Sequence, residues 1–222
     1  MCIRLVRAAA LALSSVLFLG TFLGVTSAHA VEISAYEIRS PLGVTLVKPS
    51  DLNSSQPGTL QIGFANNFGA DALVDIESYG VGLRFDSISA TREDGAFKYG
   101  DKIEVASRVF SLVARKRWAI DDWRYLAAIG TVGVYNPSVV NRRAVGVPWV
   151  QYTSKDTKAF SVGAEGGWTW DPFLVALEAG YQYLVMKSLE TDKGTPLLNG
   201  AGAPVNVDFS GPYLKVILGL RF

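Results

Sequence analysis

An all-β fold, and within it an eight-stranded antiparallel up-and-down β-barrel, is predicted from three features of the 222-residue sequence. From residue 31 onward, apolar and polar residues alternate at period two in segments rich in Val, Tyr, Phe, Trp and Gly, as strands do. The connections between these segments alternate between long and short, which is typical of a meander whose two ends face different surroundings. Seven of the nine prolines, all but Pro41 and Pro212, fall in connections, where no ladder N–H is needed.

The first thirty residues have the organisation of an export signal. Arg4 and Arg7 form a basic start, an apolar run follows over residues 8–25, and Ala28-His29-Ala30 is a small-x-small cleavage site. We therefore predict a cleaved signal peptide over residues 1–30 and one barrel domain over residues 31–222. An uncleaved anchor is the alternative, but no stop-transfer flank follows the apolar run.

Removal of this segment changes which chemistry is possible. Because Arg4 and Arg7 are lost, the 21 Lys and Arg residues fall to 19 against 20 Asp and Glu, and the lack of a basic excess argues against nucleic acid as a partner. The sole Cys (Cys2) and the sole His (His29) are also lost, which excludes Ser-His and Cys-His catalysis and His- or Cys-ligated metals. We predict no enzyme activity, no cofactor and no metal site.

The strands are predicted from the alternation, and the Pro/Gly/Asn/Asp clusters mark their ends. They lie at about residues 33–47, 59–67, 74–90, 103–118, 122–136, 158–170, 173–187 and 207–222. The first is the weakest, because Pro41 interrupts it. The long connections are 48–58, 91–102, 137–157 and 188–206, and the short ones are 68–73, 119–121 and 171–172. An even strand count places both chain ends on the short-turn side.

The last strand indicates which face meets lipid. Its even positions are Leu214, Val216, Leu218, Leu220 and Phe222, whereas charge and Gly occupy much of the other face. Charge combined with Gly suits the crowded interior of a narrow barrel, where small residues leave room for long polar ones. The sequence therefore predicts a transmembrane barrel with apolar residues outside and charged residues inside.

The second strand agrees with this pattern, and we expect Leu60, Ile62 and Phe64 to point outward. Two other strands give a less clear facing. In the fourth, the outer face of Phe110, Leu112 and Ala114 also contains Arg108 and Lys116, which we place at the membrane interfaces, where their cost is small. In the fifth, both faces are apolar, and we place the aromatic-rich face outside, although the opposite face would serve as well. The outward set is then Trp123, Tyr125, Ile129 and Tyr135, and the alternative set is Leu126, Val132 and Val134.

Inward-facing ionised residues of both signs are predicted to form a charge network in the interior. These residues are Arg84, Asp86, Glu165, Glu178, Lys215 and Arg221, with Arg115 as a further candidate. A polar pore or proton path is one interpretation. A filled interior in which acids pair with bases is favoured, because eight strands enclose space only just wide enough for side chains and buried charges require partners.

Large aromatic residues cluster where the strands meet the short turns. They are Trp118, Trp123, Trp168, Trp170 and Phe173. Amphipathic rings favour the headgroup level of a bilayer, so we predict an interfacial girdle at this end. The alternative is that these rings cap the core of a soluble barrel.

The terminal strand resembles that of bacterial outer-membrane β-barrels, which end in a carboxy-terminal Phe preceded by alternating apolar residues. The size and meander are similar to the OmpA membrane domain and OmpX. The resemblance implies location in the bacterial outer membrane among lipid and lipopolysaccharide, with delivery by periplasmic chaperones and insertion machinery that reads Leu214, Val216, Leu218, Leu220 and Phe222. Barrels of similar size that modify lipid A use His with Ser, and the predicted mature chain has no His.

The remaining candidate is the long connection 137–157, which contains Arg142, Arg143, Trp149 and Tyr152. It is a possible site for a surface ligand, although an ordinary solvated loop has a similar composition. We expect an integral barrel with a closed interior that acts structurally or through its loops. The alternatives are a passive channel for small solutes and a soluble lipocalin-like barrel with the two faces exchanged.

Overall fold

A computed structural model describes residues 33–50, 52, 62–93, 102–143, 148–199 and 202–222. The predicted signal peptide lies outside the described residues, and Ile33–Phe222 is one structural unit. The described residues form ten strands: β1 (Ile33–Leu46), β2 (Phe64–Ile76), β3 (Tyr79–Glu93), β4 (Lys102–Ala119), β5 (Arg124–Tyr135), β6 (Ser138–Arg143), β7 (Val150–Trp170), β8 (Phe173–Glu190), β9 (Val207–Asp208) and β10 (Gly211–Arg221). In these ranges, no helix combines the length and the apolar character that crossing a bilayer requires.

Eight of the strands close into a ring of antiparallel neighbours. The order is β1-β2-β3-β4-β5-β7-β8-β10, and β10 pairs back onto β1 with Glu37 opposite Arg221 and Thr45 opposite Tyr213. The predicted eight-stranded antiparallel barrel is therefore confirmed. Short turns alternate with long connections around the ring, and both ends of the barrel chain lie at the short-turn end.

The hydrogen-bond register shows how strongly the strands are tilted. The register path runs from Ala35 through Asp75, Gly80, Arg115, Ile129, Gly163, Gly180 and Tyr213 to Thr45. One circuit thus returns to β1 ten residues further along the strand, at Thr45 instead of Ala35. A closed sheet with such a stagger has strands tilted by about 35–45° and an interior just wide enough for side chains.

The second strand differs from the prediction. The structure places β2 at Phe64–Ile76, so residues 68–73 are strand and the turn lies at Glu77 and Ser78. Asp71 lies in the predicted connection 68–73 and Asp75 lies near the start of the predicted third strand. Both belong to β2, where they are buried and face the lumen. Ile62, expected outside, is also buried, whereas Phe64 is exposed as expected.

The predicted facing of the fifth strand is wrong. Tyr125 and Ile129 are buried in the lumen, while Leu126, Val132 and Val134 are exposed on the outside. The tyrosine hydroxyl needs a polar partner, and Tyr125 finds one in Glu165. Tyr135 does lie outside, because the register between β4 and β5 shifts next to Phe110 and places Tyr135 on the outer face.

The predicted long connection 137–157 is not simply a loop. It contains β6, which pairs with β4 and β7, and the first residues of β7. The predicted last strand is divided into β9 and β10, and β9 pairs with β8. The sheet therefore continues past the ring at the long-connection end.

An apolar core fills the interior at that end. It combines inward residues of the strands with residues of the long connections, namely Val47, Leu52, Ile62, Ala65, Ile88, Ala90, Ile103, Val105, Val109, Val140, Leu184, Met186, Leu189, Leu197, Val205, Val207 and Phe209. We call this set the apolar plug. Toward the short turns, most of the interior is ionised instead, and the candidate site lies there.

Candidate functional site

The interior between the apolar plug and the short turns contains a network of ionised side chains. We call it the enclosed charge network. Its carboxylates are Glu37, Asp71, Asp75, Asp86, Glu165 and Glu178, and its cations are Arg39, Arg84, Arg115, Arg117, Lys215 and Arg221. The six negative charges equal the six positive ones. Such pairing is required because an unpaired ion in a dry interior costs several kcal/mol.

Arg39 on β1 holds two carboxylates at once. Its Nη1 atom donates to both carboxylate oxygens of Glu165 at 3.0 and 2.8 Å. Its Nε and Nη2 atoms donate to Asp71 Oδ2 at 3.2 and 2.7 Å. Since Glu165 lies on β7 and Asp71 on β2, the guanidinium of Arg39 ties distant parts of the ring together across the lumen.

Arg84 on β3 repeats this arrangement. It donates to the two oxygens of Glu178 at 3.0 and 2.9 Å and to Asp71 Oδ2 at 3.3 and 2.8 Å. Asp71 is therefore shared by two guanidinium groups. Paired N–H···O bonds between guanidinium and carboxylate are among the stronger hydrogen bonds in proteins and fix the orientation of both groups.

Arg115 occupies the part of the network nearest the short turns. It donates to Glu37 at 2.8 Å, to Asp75 at 2.8 and 3.1 Å, and more weakly to Glu165 at 3.4 Å. Two half-buried cations complete this end. Arg117 lies 3.3 Å from Glu37, and Arg221 lies 3.6 Å from Asp75.

Two buried tyrosines bind the glutamates of the network. Tyr125 Oη donates to Glu165 Oε1 at 2.7 Å, and Tyr213 Oη donates to Glu178 Oε1 at 2.8 Å. Each glutamate thus accepts hydrogen bonds from at least one arginine and from one tyrosine. The two tyrosines bring a rigid ring and a donor into the lumen from β5 and β10.

Glycines make room for these rings. A Cβ atom at Gly167 would lie 2.5 Å from the ring of Tyr125, and one at Gly163 would lie 2.6 Å from Tyr213 Oη. Such separations are too short for any larger residue unless the ring moves. The inward orientation of Tyr125 and Tyr213 therefore requires glycine at positions 167 and 163 of β7.

Lys215 and Asp86 mark the boundary with the apolar plug. Lys215 Nζ donates to Asp86 Oδ1 at 2.8 Å. Beside this pair is a cavity of about 20 Å³ that also borders Ser111, whose Oγ is buried without a hydrogen-bond partner. A space of this size accommodates about one water molecule.

The six predicted network residues all lie in the enclosed charge network. Sequence reasoning missed five further members of the network and the two tyrosines that donate to it, namely Glu37, Arg39, Asp71, Asp75 and Arg117, with Tyr125 and Tyr213. Glu37 and Arg39 lie in the strand that Pro41 made doubtful, and Asp71 lies in the segment read as a turn. The sequence did contain a signal for them, because Glu37 and Arg39 are two residues apart and Asp71 and Asp75 are four apart, and both spacings place the two charges on one face of a strand.

The outside of the barrel has the opposite character. Large apolar residues are exposed on every strand of the ring, for example Ile38, Phe68, Leu83, Leu112, Val132, Val162, Leu177 and Leu218. On β10 and at the chain end, Leu214, Val216, Leu218, Leu220 and Phe222 are 37–65 % exposed. We call this surface the apolar outer wall.

Aromatic residues lie at the short-turn end of this wall. Trp118, Trp123, Trp168, Trp170 and Phe173 are all exposed there. In the adjacent turn, Arg124 donates to Asp121 Oδ2 at 2.6 Å, and this hydrogen bond lowers the pKa of the Asp121 carboxyl below its ordinary value. The Arg124 guanidinium also lies 4.8 Å from the ring of Trp123.

At the long-connection end, the predicted surface loop places an aromatic ring between cations. Trp149 is exposed, with Arg143 at 5.3 Å and Lys102 at 5.7 Å from its ring centre. Both cations also pair with Glu93, at 3.5 and 3.8 Å. Residues 144–147 of this loop are outside the described residues.

No group of three or more His, Cys, Asp or Glu in the described ranges is arranged to hold a metal.

Comparison with known proteins gives similarity in structure alone. No protein-family model matches the chain, and no curated protein sequence matches it significantly. One similar structure is Ail, the attachment invasion locus protein of Yersinia pestis, in complex with the heparin analogue sucrose octasulfate (12 % identity, 85 % of this chain and 98 % of Ail, TM-score 0.48). Another is Neisserial surface protein A (13 % identity, 84 % of this chain and 95 % of that protein, TM-score 0.44). A third is the outer membrane protease OmpT of Escherichia coli (12 % identity, 89 % of this chain and 99 % of OmpT, TM-score 0.43).

Proposed function

We propose that this protein is an integral outer-membrane β-barrel with a closed interior, which acts structurally or through its surface loops. The observation that carries the proposal is the inversion of the usual distribution of side chains. Ten ionised residues are buried inside the barrel, whereas leucines, valines and aromatic residues are exposed around its outside. Only a surrounding apolar phase makes this distribution favourable.

The extent of the exposed apolar surface supports a membrane location. Monomeric soluble proteins seldom expose a continuous apolar patch above about 300–600 Å². Here, exposed apolar residues follow one another on all eight strands of the ring. A lipocalin-like barrel would have the reverse arrangement, with Leu218 and Phe222 inside and Glu178 outside.

The filled lumen supports a closed barrel in preference to a passive channel. The enclosed charge network occupies one part of the interior and the apolar plug another. A solute crossing the barrel would have to displace both. We assign the protein no catalytic reaction, since the predicted mature chain lacks the His and Cys side chains that Ser-His and Cys-His catalysis require.

The terminal strand supports a role in assembly. The backbone N–H of Phe222 donates to Tyr36 O at 2.9 Å, and Tyr36 N–H donates to Phe222 O at 2.9 Å, so the last residue closes the seam of the barrel. Leu214, Val216, Leu218, Leu220 and Phe222 form one outward row. In this proposal, the barrel-insertion machinery reads that row after periplasmic chaperones deliver the chain.

The ends of the outer wall fit the two membrane surfaces. Trp118, Trp123, Trp168, Trp170 and Phe173 form the periplasmic girdle in this proposal, because aromatic rings favour the headgroup level. The long connections then face the cell exterior, within the lipopolysaccharide leaflet and beyond it. Trp149 with Lys102 and Arg143 is the part of this surface that would meet a surface ligand.

Fractionation of cells that express the full chain tests the proposal. We expect the protein in the outer-membrane fraction, released only by detergent, and a change in its gel migration when the sample is boiled. Recovery of folded protein from the periplasm without detergent would contradict the membrane location. Conductance measured in planar bilayers tests the closed interior separately, and we expect none above that of the lipid alone.

A further inference from the structure

The wall of the barrel is interrupted between β5 and β7. The ladder that joins these two strands ends at Val132 opposite Phe160. The ladder that joins β6 to β7 begins seven residues away along each chain segment. Between the two ladders, residues 133–138 face residues 154–159, and in the described part of the chain these two stretches form no ladder with each other. We call this interruption the wall gap.

The wall gap lies toward the long-connection end of the outer wall. A side-chain hydrogen bond crosses it, from Asn136 Nδ2 to Thr157 O at 3.0 Å. Lys158 lies within it and is exposed, and a cation on the outer face is tolerated near a membrane interface. Backbone groups in the hydrocarbon region require partners within the protein. A break in the ladder therefore favours a level that water reaches.

The inward row of β7 is accessible from outside at the wall gap. Ala159 and Ser161 face inward but are only partly buried, whereas Glu165 on the same row is 1 % exposed. Ile88 and Leu184 of the apolar plug, at the level of Ala159, are 3 % and 0 % exposed. The plug thus closes the end of the barrel at this level. Access to Ala159 and Ser161 therefore comes through the side of the barrel.

The cavity beside Lys215 and Asp86 lies directly behind the wall gap. Its lining includes Ala159, the last residue of the gap on β7, and Ser161. The volume of about 20 Å³ exceeds the roughly 10–15 Å³ that one water molecule requires. The cavity therefore has room for one water molecule at the inner side of the gap.

The polar groups around this cavity have unused hydrogen-bonding capacity. Ser111 Oγ is buried without a hydrogen-bond partner among the described residues. Lys215 Nζ donates to Asp86 Oδ1 at 2.8 Å, and an ammonium group has two further N–H donors. Thr131 Oγ1 and Ser161 Oγ are 2.7 Å apart, so one of the two hydroxyl hydrogens is used between them and the other is left to donate. A buried water molecule needs about two to four such partners.

We propose that this cavity is a hydration site, in which one water molecule binds to Ser111 and Lys215 and exchanges with the outside through the wall gap. The water supplies the buried Ser111 hydroxyl with a partner and adds a hydrogen bond to the buried Lys215–Asp86 ion pair, which such bonds stabilise. The enclosed charge network fills the interior beyond the site, so the site does not extend across the membrane. Only the level of the gap within a bilayer rests on the membrane location proposed above.

Silver ions test the site, because Ag⁺ moves through water and binds soft thiolate ligands. The reaction replaces the thiol proton by silver, R–SH + Ag⁺ → R–S–Ag + H⁺. The full chain with Cys2→Ser contains no thiol and is the background. In this background, Ser111→Cys places a thiol in the cavity, and Ala127→Cys places one at a buried inward position of β5 away from it. Silver uptake by the refolded proteins in detergent micelles is followed by native mass spectrometry, after heat-modifiable migration has confirmed folding.

We expect Ser111→Cys to take up silver about tenfold faster than Ala127→Cys or more, because a buried thiol without a water path reacts only when the barrel opens locally. Ser161→Cys, a second position on the cavity lining, should behave like Ser111→Cys and replaces it if that variant does not fold. Equal rates at the cavity position and at Ala127→Cys would overturn the hydration site.

The route is tested by narrowing the wall gap. In the Ser111→Cys protein, Ala159→Leu adds bulk at the inner edge of the gap, and Ala164→Leu adds the same bulk at an exposed position of the outer wall. We expect silver uptake to slow about tenfold for Ala159→Leu alone, since entry then needs a local opening. Unchanged uptake with Ala159→Leu would overturn the wall gap as the entrance. A protein that folds without detergent would instead disprove the membrane location and leave both rate comparisons valid.

Discussion

Arg39 binds Glu165 across the lumen through bonds of 3.0 and 2.8 Å, although 126 residues separate them in the chain. The two residues lie on β1 and β7, which are not neighbours in the ring. Their contact exists only once the barrel has closed. The ion pairs of the interior therefore report complete folding and not the formation of individual hairpins.

Removal of the Arg39 charge is expected to destabilise the barrel. Arg39→Met leaves Glu165 and Asp71 short of a buried partner, and breaking a buried pair typically costs about 3–5 kcal/mol. Urea titration of the refolded protein, followed by heat-modifiable migration, measures this loss. Arg92→Met, at an exposed position on β3, is the matched control. An Arg39 variant as stable as that control would show that the network is not needed for stability.

The tyrosine hydroxyls of the interior are expected to matter individually. Tyr125→Phe removes the donor to Glu165 and leaves one buried carboxylate oxygen with less support, at a cost of about 1–3 kcal/mol. Tyr181→Phe removes a hydroxyl from the outer wall and should leave the urea midpoint unchanged. Equal midpoints for both variants would argue against a structural role for the Tyr125 hydroxyl.

Adjacent glycines on β7 should respond differently to an added methyl group. In Gly167→Ala, the new Cβ meets the Tyr125 ring at 2.5 Å, and such overpacking typically costs about 1–3 kcal/mol. In Gly166→Ala, the new Cβ faces outward, with Leu126 Cδ2 at 3.5 Å. Thermal unfolding in detergent should separate the two variants. If Gly166→Ala is the more damaging, the assigned facing of β7 is incorrect.

The outer wall is expected to tolerate charge only at its edges. Leu218→Arg places a cation on the lipid-facing row of β10, where the cost is about 2–4 kcal/mol near the midplane. Pro212→Arg is the control, since Pro212 is an exposed residue on the same face near the long-connection end of β10. Spontaneous insertion into lipid vesicles, measured as the folded fraction on gels, should fall for Leu218→Arg alone. Equal insertion would contradict the lipid contact of Leu218.

Much of the fold could be predicted from the sequence because strand patterning is a local property. In β10, each residue faces opposite to its neighbours, so the row from Leu214 to Phe222 and the opposing Lys215 could be assigned without knowledge of any partner strand. The same reasoning identified Arg84, Glu165 and Glu178 as inward residues. Where both faces of a strand are apolar, as in β5, alternation carries no information, and the predicted facing was wrong.

By itself, the sequence determined the number of strands in the ring, the alternation of short and long connections, and the outward apolar row of the last strand. These features depend on neighbours along the chain. Only the tertiary structure decided which charges meet, because the pairs of Arg39 with Glu165 and of Arg84 with Glu178 depend on the ten-residue stagger of the closed ring. It also decided that Asp71, in the predicted connection 68–73, belongs to a strand. An aspartate in a turn and an aspartate that faces a guanidinium cannot be distinguished in the sequence, because the guanidinium comes from another strand. Only closure of the barrel brings Arg39 and Arg84 next to Asp71.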